Sequence, residues 1–290
     1  MQYIVMDLEW NNTYAKKANG YINEIIEIGA VKLDEDIETV FDYIGEDYGK
    51  CLYIFIDLKK FGLDDENFDV WIQYNKEGAI CAIISEYFGG IQIYSREQNL
   101  LLEEIADFIK EKDTHVLFAI KPIIDRLKPF LPGYEQETGT VGELMELKYP
   151  PNPKAYSAPM EELAEIVRIV ADDEGIGKPY GYDSLYEQYT QRKEENFGRN
   201  FVLRDEESND IICHAGTYAE LPELAVIGGV ITAPLYRGKG FSKETLSSLC
   251  EDLLNENKRI FSFFYIPSAE HMHYGVGFEK IEDWSKLFKD

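Results

Sequence analysis

An α/β (α+β) fold is predicted for this chain by three observations. Apolar, β-branched runs alternate with segments of helical apolar spacing along most of its length. Residues 224–254 condense that alternation into one strand, one short turn and one helix. The 290 residues, of which 45% are hydrophobic, are enough to pack two cores rather than one.

The elements follow in order. Residues 3–11 read as a strand that places Asp7 and Glu9 on one face, because side chains two apart share a face. Residues 24–33 read as a second strand. Short strand-like runs at 52–57, 68–74, 79–87 and 90–94 are divided by Gly, Asp and Asn turns. A helix is predicted over 99–110, with Leu101, Leu102, Ile105, Phe108 and Ile109 on one side. A strand at 115–120, a helix at 123–130 ended by Pro129 and Pro132, and a strand at 140–147 complete the first half. Residues 149–159 are dense in proline, which prevents a helix and predicts an extended, stiff linker. Amphipathic helices are expected from Met160 and over 183–192, then strands at 201–205 and 211–218 before the run at 224–232. Asp205, Glu206 and Glu207 read as an exposed turn. A further strand is expected at 259–265, and no repeat is visible at the residue level.

The chemistry concentrates after residue 224. The β-branched run ends through Val230, Ile231 and Thr232, and Arg237-Gly238-Lys239-Gly240-Phe241-Ser242 follows. Leu246, Leu249, Leu253 and Leu254 then mark one side of a helix. A helix start exposes N–H groups with no intrahelical partner, and its end carries partial positive charge. Gly238 and Gly240 let backbone approach a ligand closely, while Arg237 and Lys239 add charge. That combination suits a diphosphate.

Charge and cysteine usage bound the rest. A formal net charge of -25 repels phosphate backbones and anionic membranes, so no nucleic-acid or membrane partner is expected. Most of that charge reads as a solvated acidic surface, which leaves room for a local basic pocket. Cys51, Cys81, Cys213 and Cys250 stand without a C-x-x-C pair and read as reduced, buried thiols. No secretory signal and no bilayer-length apolar run is visible, which places the protein in the cytoplasm. His271 and His273 lie two apart on an expected helix and point to different sides, so no metal site is read there.

From Met160 onward the chain resembles the GNAT N-acetyltransferase superfamily. Arg237-x-x-Gly240-x-Ser242 is similar to its pyrophosphate signature, with Ser where the family has Gly or Ala. The flanking strand, Pro234, the long helix, the next strand and Val276-Gly277-Phe278 fall in the family's order. The resemblance implies acetyl-CoA as cofactor, gripped by Arg237, Gly238, Lys239, Gly240, Phe241 and Ser242. It implies a pantetheine arm laid along Val230, Ile231 and Thr232, where the fourth and fifth strands splay apart. The acceptor is then a small-molecule or peptide amine that attacks the thioester directly. The family's acid is a Tyr four residues before the Gly-Phe pair; here that position is His273, with Tyr274 beside it, and either can serve. The family's frequent Asn seven residues earlier is Ile266, so a third reading is a catalytically silent CoA-binding module. Glu223, at the entrance of the central strand, is a candidate base through water or a solvated strand-end carboxylate. The element order over residues 50–148 is similar to a GNAT domain whose pyrophosphate turn, at 94–99, lacks the glycines. The implied organisation is a tandem of mixed, twisted sheets flanked by helices: residues 50–148, a linker at 149–159, and an acetyltransferase domain over 160–290.

Residues 1–44 resemble instead the opening of a DEDD-type 3′–5′ exonuclease, through Asp7-x-Glu9 and Glu27-Ile28-Gly29-Ala30. Two-metal hydrolysis needs further carboxylates and a base. Asn67-Phe68-Asp69 is a faint echo of one later motif, and the Tyr…Asp pairs at 43/47 and 53/57 come too early for the other. An inactive fragment is expected, with a metal-dependent exonuclease as the alternative.

Overall fold

The computed structural model describes residues 30–32, 37–65, 67–173 and 181–289. Asp7, Glu9 and most of the exonuclease-like stretch lie outside them. Strand β1 (Ala30–Lys32), helices α1 (Ile37–Ile44) and α2 (Tyr48–Phe61), strands β2 (Phe68–Tyr74), β3 (Ile80–Tyr87) and β4 (Gly90–Tyr94) come first. Helix α3 (Leu102–Glu111), β5 (Val116–Ile120), α4 (Lys121–Leu127) and β6 (Glu135–Leu144) follow. Then come β7 (Tyr156–Ser157), α5 (Leu163–Asp172), α6 (Tyr182–Glu194), β8 (Asn200–Arg204), β9 (Ile211–Glu220) and β10 (Leu224–Thr232). Helix α7 (Phe241–Asn255), β11 (Arg259–Phe264), α8 (Pro267–Val276) and β12 (Phe278–Phe288) end the chain.

These elements form two compact units. The first takes the described residues up to Thr138 together with those from Asp283 onward, and the second is Gly139–Glu282. In the first, β1 to β4 run antiparallel in sequence order and β5 returns parallel to β4 through α3. The end of β12 then closes against β5, Trp284 opposite Ile120 and Phe288 opposite Val116. Helices α3 and α4 cover one face, where Ile105, Phe108, Ile109, Ile123 and Leu127 meet Trp71, Ile84, Ile91, Ile93 and Leu287. The alternate strand residues face α2: Tyr94 donates to Asp47 over 2.9 Å, and Gln92 lies 3.5 Å from Asp57.

The second unit repeats the plan. Strands β7 to β10 are antiparallel, and β11 returns parallel to β10 through α7. Residues of β6 close against β11, Thr140 opposite Phe264 and Glu143 opposite Phe261. Helices α7 and α8 bury Leu246, Leu249, Leu253, Met272 and Val276 on one face of the sheet. Helices α5 and α6 bury Ile166, Val167, Leu185 and Tyr189 on the other. Each unit is therefore finished by a strand drawn from the opposite half of the sequence.

Two features differ from the sequence expectation. Residues 52–57 are helical, not extended. Leu52, Ile54, Phe55, Ile56 and Leu58 are all buried, and a short apolar run buried on nearly every side carries no period that separates helix from strand. The proline-dense stretch is packed inside the second unit. Asn152 receives the Ser248 hydroxyl on its carbonyl at 3.1 Å and donates its side-chain amide to Glu244 at 2.6 Å, while Tyr156 and Ser157 pair with β8. The same unit is clamped by Arg199, which reaches Glu220 at 2.6 Å, Asp252 at 2.6 Å and Glu256 at 2.7 Å, tying β9 to the end of α7.

Leu287 is fully buried in the first unit's core although it lies three residues from the chain end. Leu287→Ala should cost about 2–5 kcal/mol, the usual range for a buried leucine. Chemical denaturation checks this, and a loss under about 0.5 kcal/mol, typical of exposed sites, would contradict the assignment of β12 to that core.

Candidate functional site

The site is built where two parallel strands part. The β10–β11 ladder runs from Leu224 opposite Arg259 to Ile227 opposite Ser262 and stops there, although β10 continues to Thr232 and β11 to Phe264. The cause lies on the other edge of β10. Between the pairs Gly228–Gly216 and Ile231–His214 the register shifts, so that Gly229 and Val230 together oppose one residue of β9. Such a bulge bends its strand and strengthens the local twist. Gly229 sits at φ 63°, a conformation that favours glycine.

His214 holds this bulge. Its Nδ1 lies 2.6 Å from the Gly229 carbonyl, to which it donates, and Nε2 lies 2.9 Å from the side-chain amide of Asn200. Full burial pushes the imidazole down to about 4, so the ring is neutral at physiological pH. The nearest Asn200 atom is Oδ1; with the ring hydrogen on Nδ1, Nε2 can only accept, so the Asn200 amide is assigned with its NH2 turned to the ring. The Gly229 carbonyl is thus committed to a side chain instead of to a neighbouring strand.

Beyond Thr232 the chain turns through Pro234, Leu235 and Tyr236 into Arg237-Gly238-Lys239-Gly240 and enters α7. Gly238 and Gly240 have φ of 77° and 93°. No side chain caps α7, and Glu244 N–H makes the first backward bond, to Gly240 at 3.1 Å. The first N–H groups of a helix have no intrahelical partner, as an anion site requires. A Cβ at Gly238 would meet nothing within 4 Å, so space is open beside this turn. At Gly240 a Cβ would come within 3.1 Å of the Tyr149 hydroxyl. Arg237 and Lys239 are exposed. Arg237 donates from Nε to the Thr232 carbonyl at 2.9 Å and faces Asp173 at 3.4 Å. Lys239 lies over the Tyr236 ring, and Phe241 and Ser242 are half-buried at the helix entry. A diphosphate and an extended thiol arm fit these residues: a glycine turn with two cations at one end, and the edge of β10 beyond its ladder with β11, from Val230 to Thr232, at the other.

The expected catalytic residues separate. His273 is buried, its Nδ1 donating to Ala269 at 2.8 Å and its Nε2 receiving the Ser262 hydroxyl at 2.9 Å. Its ring stacks on Phe264, and burial pushes it down to about 4. Both nitrogens are thus used in packing. Tyr274 is half-buried and meets the Phe264 ring edge-on at 5.7 Å, two residues past the last paired position of β11. Glu223 stands at the closed end of the ladder, its carbonyl bonded by Arg259 N–H at 2.9 Å. At about 3.3 Å per residue it is roughly 16 Å from Gly228, where the strands part. Among the described residues no group of His, Cys, Asp and Glu could hold a metal ion, and no helix is long and apolar enough to cross a membrane. A groove of about 430 Å³ flanks the second half of α7, lined by Asn152, Phe201, Ser248 and Asp252. Three of its polar residues are committed to the structure, Asn152 and Ser248 to each other and Asp252 to Arg199.

His214, Asn200 and Tyr218 were invisible to sequence reasoning, since each bears on β10 from another strand. Only the Gly228-Gly229 pair inside a β-branched run signalled a bulge.

No family model and no curated protein matches the chain. Solved structures do. An acetyltransferase of the GNAT family from Colwellia psychrerythraea is 13% identical with a TM-score of 0.56, over 90% of this chain and 99% of that one. A tandem GNAT protein from the clavulanic acid biosynthesis pathway is 13% identical at 0.55, over 89% and 97%. A GCN5-related N-acetyltransferase from Sphaerobacter thermophilus is 13% identical at 0.58, over 80% and 83%. The chain shares the fold of these structures, a tandem one among them. The turn after β4 in the first unit is occupied by side chains of its own chain. There Arg96 donates to the Asp42 carbonyl at 3.1 Å and lies over the Tyr43 ring, whose hydroxyl accepts from Arg96 N–H at 3.0 Å.

The buried histidine gives a pH test. Folded His214 titrates about 4 against an ordinary 6.5, so the unfolded chain binds the extra proton between those values. Its contribution is complete above pH 6.5 and is lost as pH falls towards 4. Thermal melts of His214→Gln across this window should show a shallower fall in Tm than the parent; parallel curves would contradict a neutral, bulge-holding imidazole.

Proposed function

We propose that the second unit is an acetyl-CoA-dependent N-acetyltransferase that acts on a primary amine. The observation that supports this most is the end of the β10–β11 ladder at Ile227 and Ser262, on a strand that leads through a turn with two left-handed glycines into an uncapped helix start. Acetyl-CoA, when bound, supplies an activated acyl group as a thioester. The amides around Gly238 and Gly240, with Arg237 and Lys239, bind the diphosphate. Arg237 exchanges its Asp173 contact for that anion, which an exposed pair at 3.4 Å permits at little cost. The edge of β10 beyond that ladder, from Val230 to Thr232, orients the pantetheine arm as an added strand would lie. Tyr274 is the residue placed to hold a proton near the end of β11, since both nitrogens of His273 are already engaged. Glu223 has no part in this reading. The acceptor is a small-molecule or peptide amine, with no nucleic-acid partner. The cytoplasm remains the expected compartment.

One observation favours a second reading, a module that binds CoA without turnover. The family's acid position is occupied by His273, a buried packing residue. Incubation with acetyl-CoA and a panel of amines, with free thiol followed, separates the two: amine-dependent thiol release supports the transferase, and CoA binding with no release supports the module.

Arg237→Glu should weaken CoA binding by about 1–3 kcal/mol, by reversing charge beside the diphosphate. Titration calorimetry of parent and variant checks it. An unchanged dissociation constant would remove Arg237 from the donor site.

A further inference from the structure

Arg192 differs from the other half-buried arginines of the second unit. Arg199, Arg204 and Arg259 each pair with a carboxylate. Arg192 is half-buried near the end of α6, yet no carboxylate of the described residues lies within 4.0 Å of it. Its polar contact is Gln188, whose side-chain oxygen accepts from Nη2 at 3.1 Å. In a chain with 54 acidic residues against 29 Lys and Arg, a half-buried guanidinium without an acidic neighbour is against expectation.

Its surroundings tie it to the parting strands. The guanidinium lies over the Tyr189 ring at 5.5 Å and the Tyr218 ring at 5.2 Å. Tyr218 in turn lies against Gly228, the first residue of β10 past the ladder: a Cβ there would fall 2.2 Å from the ring. Tyr189 reaches the bulge itself, its hydroxyl 3.0 Å from where a Gly229 Cβ would stand. The cation is therefore one aromatic layer from the position where an acceptor would meet the donor, on the face covered by α5 and α6.

We propose that Arg192 binds a carboxylate of the acceptor, so that the substrate class is an amino acid or another amine bearing an anionic carboxyl group. This deepens the transferase reading and rests on it. A guanidinium that lies over two tyrosine rings and gives Nη2 to Gln188 has further N–H donors, which a carboxylate matches. A doubly charged phosphate would suffer more from the field of a protein at -25 than a singly charged carboxylate does. The same field draws in cationic amines without selecting among them; Arg192 selects against those lacking the acid.

The test uses the full chain with glycine, β-alanine and γ-aminobutyrate, each against its own amide, as acceptors and as binding ligands in saturating CoA. Each amide keeps the amine and lacks the negative charge. At least one acid should be favoured over its amide by about tenfold or more, the value of a charge-assisted contact. Arg192→Gln should erase that preference by weakening the acid alone, and Arg192→Lys should restore part of it. Acid and amide within about twofold of each other, including failure of both to bind, would overturn the proposal. So would an Arg192→Gln variant that weakens acid and amide equally, as a merely structural guanidinium predicts. CoA affinity of the unsubstituted protein, measured alongside, keeps the two readings apart. Its absence strikes the transferase reading, whereas intact CoA binding without an acid preference strikes this one.

Discussion

The parting of β10 from β11 is the constraint on which the candidate site depends. Parallel strands in one sheet exchange backbone hydrogen bonds along their shared length, and ending that ladder early leaves polar groups in need of partners. The second unit handles this through the opposite edge of β10. The bulge at Gly229 and Val230 turns the strand, and His214 takes the carbonyl that the bulge removes from the ladder. Beyond Ile227 that edge of β10 has no ladder with β11, which suits a ligand that can itself pair like a strand. The same strand then delivers the chain to the glycine turn and α7, so the two ends of an elongated donor are served by one continuous segment.

Charge follows the same logic of commitment. Arg199 and Lys258 are absorbed by Glu220, Asp252 and Glu256 in a network that locks strand to helix. Arg204 is absorbed by Glu162 and Glu165. Lys239, Arg237 and Arg192, at the turn and beside the bulge, are held more loosely, by an aromatic ring, by a long contact to Asp173 and by an uncharged amide. In so acidic a protein, anion recognition has to come from such local exceptions, because the overall field opposes it.

The legibility of these features tracks their locality. Residues 224–254 could be read directly, because a β-branched run, a glycine–basic turn and leucines at helical spacing are contiguous signals. Helix α2 was misread because its apolar residues are buried nearly all round, which erases the period. The exchange of closing strands was hidden, since no local pattern at Leu287 or Thr140 says which half of the chain it completes. Tyr274 and His273 illustrate the limit within the site. Counting residues placed His273 at the acid position with Tyr274 beside it, and only the three-dimensional partners Ala269, Ser262 and Phe264 showed that the imidazole is spent on packing.

Amide hydrogen exchange with and without CoA examines the central claim most directly, because it reads that strand edge and the helix start residue by residue. The account predicts that CoA slows exchange at Val230, Ile231 and Thr232 and across residues 238–243, with little change in the corresponding strand and turn of the first unit. Protection confined to other segments, or none at saturating CoA, would contradict it.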